Sequence, residues 1–274
     1  IHGLLIQQAA RYGQRRFLTF ADTEVSFAEL EVMSARAAAG LAQLGVSKGD
    51  CVALMLDNCV EYLALWFGLA RLGAVEVPLN TAHRGAVLTH MLRLSKARVV
   101  VIDPAYLPAL TEVRAEIPWS LTVISRGAAP EGCLALDAVL ACTASASEVQ
   151  VSAGDPYAIM FTSGTTGLSK GALMPHGYAL AAAGQICAAT GYDEDDCLYN
   201  ALPLFHGNAQ ILSALPALMA GAETVLVPKF SASRFWDDLR KHRCTAFNYI
   251  GTILSMLMKA PESPDDRRHT LRVI

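Results

Sequence analysis

The residues best suited to chemistry lie in one stretch, Tyr157-Ala-Ile-Met-Phe-Thr-Ser-Gly-Thr-Thr-Gly-Leu-Ser-Lys-Gly171. Thr162, Ser163, Thr165 and Thr166 bring hydroxyl donors, and Lys170 brings a point charge. Gly164 and Gly167 let backbone N–H groups approach an anion, because no Cβ stands in the way. Such a set suits a phosphate group. A Ser/Thr/Gly cluster by itself reads as an ordinary solvated loop. Here, however, the apolar run Ala158 to Phe161 has strand character and feeds straight into the cluster, and Lys170 closes it. The spacing excludes three other motifs. Gly164-x-x-Gly167-x-x-Lys170-Gly171 lacks the Gly-x-x-x-x-Gly-Lys-Ser/Thr order of a Walker loop, and no helix pattern starts at the glycines as a dinucleotide fingerprint requires. Phe161 stands two residues before Ser163, where a nucleophile elbow needs glycine.

A second candidate is Pro203-Leu-Phe-His206, which delivers an imidazole at a strand end just before a helix. A single histidine reads more often as structural than as catalytic. The acidic run Asp193-Glu-Asp-Asp196 reads as a solvated turn, because four consecutive acids cannot all face one ion. With no His-Glu-x-x-His and no histidine pair at i, i+4, no metal site is expected.

The elements that must position these residues alternate between strand and helix. A hairpin is expected over 17–25. Ser26 with Glu29 forms a capping-box pattern for a helix carrying Leu30, Met33, Ala37, Leu41 and Leu44. Strands are expected at 51–56, 74–79, 98–102 and 121–124, with helices at 60–72, 84–94 and 107–116 between and after them. Residues 126–156 break this rhythm and read as an irregular connection. The strand at 158–161 rejoins the sheet, and the phosphate loop leaves from its carboxyl end, where doubly wound sheets bind ligands. A small-residue helix over 177–189 follows. Strands at 197–202, 223–227 and 245–250 then alternate with helices at 209–220, 232–242 and 252–259. In the helix at 234–242, Phe235, Trp236 and Leu239 are expected to face a core. The fold class is therefore α/β, with two mostly parallel sheets and covering helices. The division expected is a subdomain over 49–190 carrying the phosphate loop, and a discontinuous one made of 1–48 with 191–274.

Composition sets bounds on function. Of 274 residues, 53% are apolar and 17% charged, with a net charge of -3 and no basic run interleaved with aromatics, so nucleic acid is not an expected partner. Seven cysteines with no Cys-x-x-Cys pair read as buried thiols of a reducing compartment, and the cytoplasm is the expected location. No apolar run is long enough to cross a bilayer; the richest, Tyr62 to Gly73, is interrupted by Arg71. The chain begins at Ile1, and Leu271-Arg-Val-Ile274 reads as the start of a buried strand, so a truncated protein is expected.

The stretch Thr162-Ser-Gly-Thr-Thr-Gly-Leu-Ser-Lys-Gly171 resembles the phosphate-loop signature of the adenylate-forming superfamily, with Ser169 standing where proline is usual. Leu202-Pro-Leu-Phe-His206 is similar to a run that follows that loop in the same superfamily. Lys229-Phe-Ser-Ala-Ser-Arg-Phe-Trp-Asp238 and Phe247-Asn-Tyr-Ile-Gly-Thr252 resemble carnitine- and crotonobetaine-type and fatty-acid CoA ligases. The resemblance covers essentially the whole chain. It implies the N-terminal subdomains of an AMP-forming acyl-CoA ligase, with the mobile C-terminal domain absent and the piece inactive alone. It implies ATP, Mg²⁺, CoA and a carboxylic acid as cofactors and substrates, and leaves a homodimer open. Thr162, Ser163, Gly164, Thr165, Thr166, Gly167 and Lys170 would hold the phosphates, with Thr165 and Lys170 acting in catalysis. His206 would border the acyl pocket and place the carboxylate, with Tyr249, Gly251 and Thr252 lining the acyl site. The loop would be mobile without ATP, and would lie near the seam of the two subdomains with His206 and Tyr249 across from it. A non-catalytic phosphate-binding module and a fatty-acid carrier of the transport type are the alternatives.

Overall fold

The computed structural model describes residues 1–144, 149–162, 169–261 and 264–274. Its strands, in chain order, are β1 (Arg16–Phe20), β2 (Thr23–Ser26), β3 (Cys51–Met55), β4 (Val75–Pro78), β5 (Val99–Ile102), β6 (Thr122–Ser125), β7 (Leu134–Ala135), β8 (Pro156–Thr162), β9 (Lys170–Pro175), β10 (Cys197–Asn200), β11 (Glu223–Leu226) and β12 (Ala246–Phe247). They form two sheets, ordered β7-β6-β5-β3-β4-β8-β9 and β12-β10-β11-β1-β2. Pairing is parallel except at the hairpins β1–β2 and β8–β9. The α/β reading with two mostly parallel sheets holds.

The chain divides into two compact units, Ile1–Gly3 with Leu30–Ala179, and Leu4–Glu29 with Leu180–Ile274. Residues 30–48 thus group with the larger sheet and residues 180–190 with the smaller one. The boundaries read from the sequence differ because the helices Phe27–Gln43 and His176–Thr190 each run through a division.

In the first unit, β3 and β5 are apolar runs, β4 is apolar but for Glu76, and all three are buried almost throughout, as strands covered on both faces must be. Leu88, Met91 and Leu92 of the helix Gly85–Ser95 pack with Ala53, Val77, Val100 and Ile102. The helix Val60–Leu72 is buried except at Glu61 and Arg71, and closes on Gly73, whose left-handed backbone (φ 65) suits glycine. Residues 126–156 are less irregular than the sequence suggests. They add the edge strand β7 and a short helix, Leu136–Leu140, which are too brief for periodicity to reveal.

In the second unit, the capping box forms as read: Glu29 N–H donates to Ser26 Oγ (3.1 Å), and Ser26 N–H donates to Glu29 Oε2 (2.8 Å). Phe235 and Leu239 are buried, and Phe235 packs edge-on against Tyr199 and Phe247, while Trp236 is half-buried. β12 is shorter than expected, ending at Phe247, so Asn248, Tyr249 and Ile250 lie between strand and helix. Asp196, read as part of a solvated turn, is buried instead. Its carboxylate accepts from Thr245 Oγ1 (2.6 Å) and from the Arg272 guanidinium. Arg272 thereby ties down 271–274, where Val273 bridges Ala246 in parallel. Arg272 and Ile274 are exposed and Leu271 and Val273 half-buried, so this stretch is a sheet edge and not the buried strand expected. Among the described residues no helix is long and apolar enough to cross a membrane.

Candidate functional site

Sequence patterning sends the chain from the phosphate stretch towards a helix. The structure instead inserts β9 first. β8 and β9 pair antiparallel from Pro156↔Pro175 to Thr162↔Lys170 at the sheet edge, so Thr162 and Lys170 stand opposite one another where the ladder ends. The missed signal was Ala172-Leu-Met-Pro175, an apolar run too short to separate strand from helix. The expected roles of Ser163, Gly164, Thr165, Thr166 and Gly167, and the expected mobility of the loop, concern residues outside those described.

Both ends of the hairpin mouth are described. Thr162 and Lys170 are exposed, and Thr162 Oγ1 reaches the Lys170 carbonyl only at 3.5 Å. No ion pair of Lys170 is found among the described residues. Its ammonium is therefore available to an external anion. Gly171 follows because a Cβ there would stand 2.7 Å from Ile159 Cγ2 on the neighbouring strand. At the opposite end the hairpin is fastened: His176 N–H donates to Asp155 O (3.0 Å) and Gly177 N–H to Ala153 O (2.8 Å). The His176 ring is buried against Tyr157. Burial first, then the nearby charges of the Ile1 amine and His2, pull its pKa down to about 4.

The crevice where a doubly wound sheet ordinarily takes its ligand is bordered in this unit by side chains bonded to one another. From β3 the chain crosses to β4 on one side, and from β5 to β6 on the other, so the switch point lies outside the carboxyl ends of β3 and β5. There Asp103 accepts from the Asp57 N–H (2.8 Å) and from Arg126 Nε (2.6 Å), and Tyr106 donates its hydroxyl to Asp57 Oδ1 (2.8 Å).

In the second unit, β10 delivers Pro203-Leu-Phe-His206 to the start of the helical turn Gly207–Ala209. Buried amides hold this turn. Asn200 Nδ2 donates to Ala209 O (3.1 Å) and Gln210 Nε2 to Leu204 O (2.8 Å). Residues Gln210–Ala214 form a π-helical turn, a feature frequent near functional sites. His206 caps the turn with its carbonyl while its side chain stands exposed, edge-on to Phe205 at 4.7 Å. Desolvation by its neighbours holds the imidazole pKa below the ordinary histidine value. The ring is neutral at neutral pH.

Asn248 Nδ2 donates to Asn208 Oδ1 (2.7 Å) and so joins the His206 turn to the segment carrying Tyr249, Gly251 and Thr252. Of the residues expected in the site, His206, Tyr249, Gly251 and Thr252 are thus brought onto connected elements. Gly251 and Thr252 are exposed, and a Cβ at Gly251 would meet nothing within 4 Å, so that backbone faces open space. Sequence reading missed Asn208, Gln210 and Asn248, since polar residues inside helical and strand-end patterns carry no periodic signal. Among the described residues no group of three or more His, Cys, Asp or Glu side chains could hold a metal ion.

Known proteins share this architecture and these motifs. The AMP-binding enzyme pattern matches residues 5–274. The medium/long-chain-fatty-acid–CoA ligase FadD6 of Mycobacterium tuberculosis is 37% identical over 97% of this chain and 44% of its own length. The crotonobetaine/carnitine–CoA ligase of Salmonella heidelberg is 35% identical over 97% of this chain and 54% of its own. The solved N-terminal domain of FACL13 from Mycobacterium tuberculosis superimposes with a TM-score of 0.83 at 30% identity, covering 96% of this chain and 67% of that one. The chain spans about half the length of the curated relatives it matches. The resemblance to adenylate-forming proteins, and within them to carnitine-type and fatty-acid CoA ligases, agrees with these matches. The chain therefore belongs to the AMP-binding enzyme family.

Proposed function

We propose that this chain is the N-terminal portion of an ATP-dependent, AMP-forming acyl-CoA ligase. The observation that carries the reading is the hairpin mouth, where the Thr162 hydroxyl and a Lys170 ammonium without an ion pair among the described residues stand exposed at the two ends of the Gly/Thr sequence. In the first half-reaction a carboxylate oxygen attacks the α-phosphorus of ATP, the bond to the bridging oxygen breaks, and pyrophosphate leaves. In the second, a CoA thiol attacks the acyl carbonyl, loses its proton, and AMP departs. The first nucleophile is already an anion, so no general base is needed. What the protein must do is bring two anions together and fix their geometry.

In this reading Thr162, Ser163, Gly164, Thr165, Thr166 and Gly167 bind the β- and γ-phosphates, and Lys170 neutralises the departing pyrophosphate. His206 borders the acyl pocket and helps place the carboxylate, while Tyr249, Gly251 and Thr252 line the acyl path. Magnesium would lower the charge of the triphosphate. The described residues include no cage for it, and no step here is routed through it. The names of the matched relatives support a fatty or carnitine-like acid and CoA as substrates. The thiol-rich, unbridged cysteine set supports a reducing cytoplasm.

The test is ATP–pyrophosphate exchange and CoA-thioester formation by the full-length protein against a panel of short, carnitine-like and long acids. Acid-dependent exchange is expected, weakened in Thr165→Ala and Lys170→Ala. Unchanged exchange in both variants would overturn the loop assignment. Nucleotide binding without exchange for any acid would replace the ligase by a non-catalytic phosphate-binding module.

A further inference from the structure

We propose that His90 is a positioning residue for the phosphate-binding turn, fixing the peptide from which Lys170 projects. The inference rests on the reading of that turn given above. From the helix Gly85–Ser95, His90 Nε2 lies 2.8 Å from the backbone oxygen of Ser169. A carbonyl oxygen only accepts, so Nε2 carries the proton and the imidazole donates. His90 touches no proposed substrate atom; it acts through the backbone.

The geometry explains why one bond suffices. A peptide unit is planar, so holding the Ser169 carbonyl also sets the direction of the Lys170 N–H and the position of the Lys170 Cα. The β-ladder begins only at Thr162↔Lys170, and the Thr162 hydroxyl contact to Lys170 O is long at 3.5 Å. Ser169 itself brings no constraint on its backbone angles. The imidazole comes from a firm base: Leu88, Thr89, Met91, Leu92 and Ser95 of its helix are buried. The same helix abuts β9, with Leu94 Cδ2 3.7 Å from where a Gly171 Cβ would stand. A rigid helix in the sheet thus places the one cation of the turn.

Two variants of the full-length protein test this. His90→Leu removes the donor and His90→Gln keeps one at similar reach. In ATP–pyrophosphate exchange, His90→Leu is expected to raise KM for ATP and for pyrophosphate about 3- to 10-fold, the size of one lost hydrogen bond. The KM for the acid and the Tm should stay near wild type, and His90→Gln should restore most of the loss. An unchanged KM for ATP in His90→Leu would overturn the inference. So would equal losses in KM for ATP and acid, or a Gln variant as impaired as Leu. If the wild type shows no exchange, the functional reading itself falls. The contact is tested separately by ¹⁵N NMR of the His90 ring, where a proton on Nδ1 alone would exclude it.

Discussion

Two turns at the carboxyl ends of strands carry the proposed chemistry, and they are built in opposite ways. At the first, β8 and β9 end on a sheet edge with Thr162 and Lys170 exposed, and that lysine has no ion pair among the described residues. The turn after β10 is pinned by buried amides from Asn200 and Gln210. The difference follows from what each would face. A cation meant for a polyanion must not be neutralised in advance by a carboxylate of its own protein, so it is best left in solvent. A group that borders an acyl pocket and helps place a single carboxylate depends on its position more than on long-range attraction. The first turn displays charge; the second holds shape.

If that contrast is right, Lys170→Ala should separate activity from stability most cleanly. Exchange should fall about 10²- to 10³-fold, the range seen when a donor to developing transition-state charge is removed. Stability in urea should change by no more than about 0.5 kcal/mol, as for other exposed substitutions. A large loss of stability would mean that Lys170 is tied into the fold, and the contrast would fail.

The hairpin is fastened at its root, which gives a second test. His176 is buried with its pKa at about 4, below the ordinary 6.5, so the unfolded chain binds a proton that the folded chain refuses. The His176 contribution is fully present above pH 6.5 and is lost as pH falls towards 4. Burial of this one ring should cost about 3 kcal/mol of stability across that window, from about 1.4 kcal/mol per pKa unit. Urea unfolding at pH 7.5 and 4.5 should show the decline, and His176→Asn should flatten it. A decline of the same size in the variant would assign it to other groups.

How much of this was legible in the sequence depends on whether a residue's role is periodic. Val52 to Met55 and Val99 to Ile102 announce buried strands because continuous apolar runs suit strands covered on both faces. Ser26 with Glu29 announces a helix start because three-residue spacing is what reciprocal capping needs. The Gly/Thr/Lys stretch is readable because its composition is unusual in itself. β9 was not, since six residues ending at Pro175 carry too little pattern. Nor were Gln210, Asn248 and His90. Their partners, Leu204 O for Gln210, Asn208 and Leu212 O for Asn248 and Ser169 O for His90, are brought near only by the folded chain. Asp196 was misread for the same reason, as its partner Arg272 lies far along the chain.

The pinned turn should respond in the reverse sense to the exposed one. Gln210 is fully buried, and Gln210→Ala removes its bond to Leu204 O. A loss of about 2 kcal/mol in stability is expected, from the lost hydrogen bond together with the lost packing of a buried side chain. KM for the acid should rise with it while KM for ATP stays near wild type. A variant as stable as wild type would show that the turn is held by its apolar packing.

The smallest effect is expected at His206 itself. Its side chain is exposed, so His206→Ala should leave stability nearly unchanged while raising KM for the acid by about 10-fold, the worth of one hydrogen bond of about 1.4 kcal/mol. Because desolvation keeps the imidazole neutral at pH 7, its contribution is that of an uncharged donor and not of a cation. The ratio of variant to wild-type KM should therefore stay constant from pH 7 to 8.5. A ratio that shrinks steadily as pH rises through that range would show a charged ring attracting the carboxylate. The second turn would then work by charge like the first, and the contrast between the two would reduce to one of burial alone.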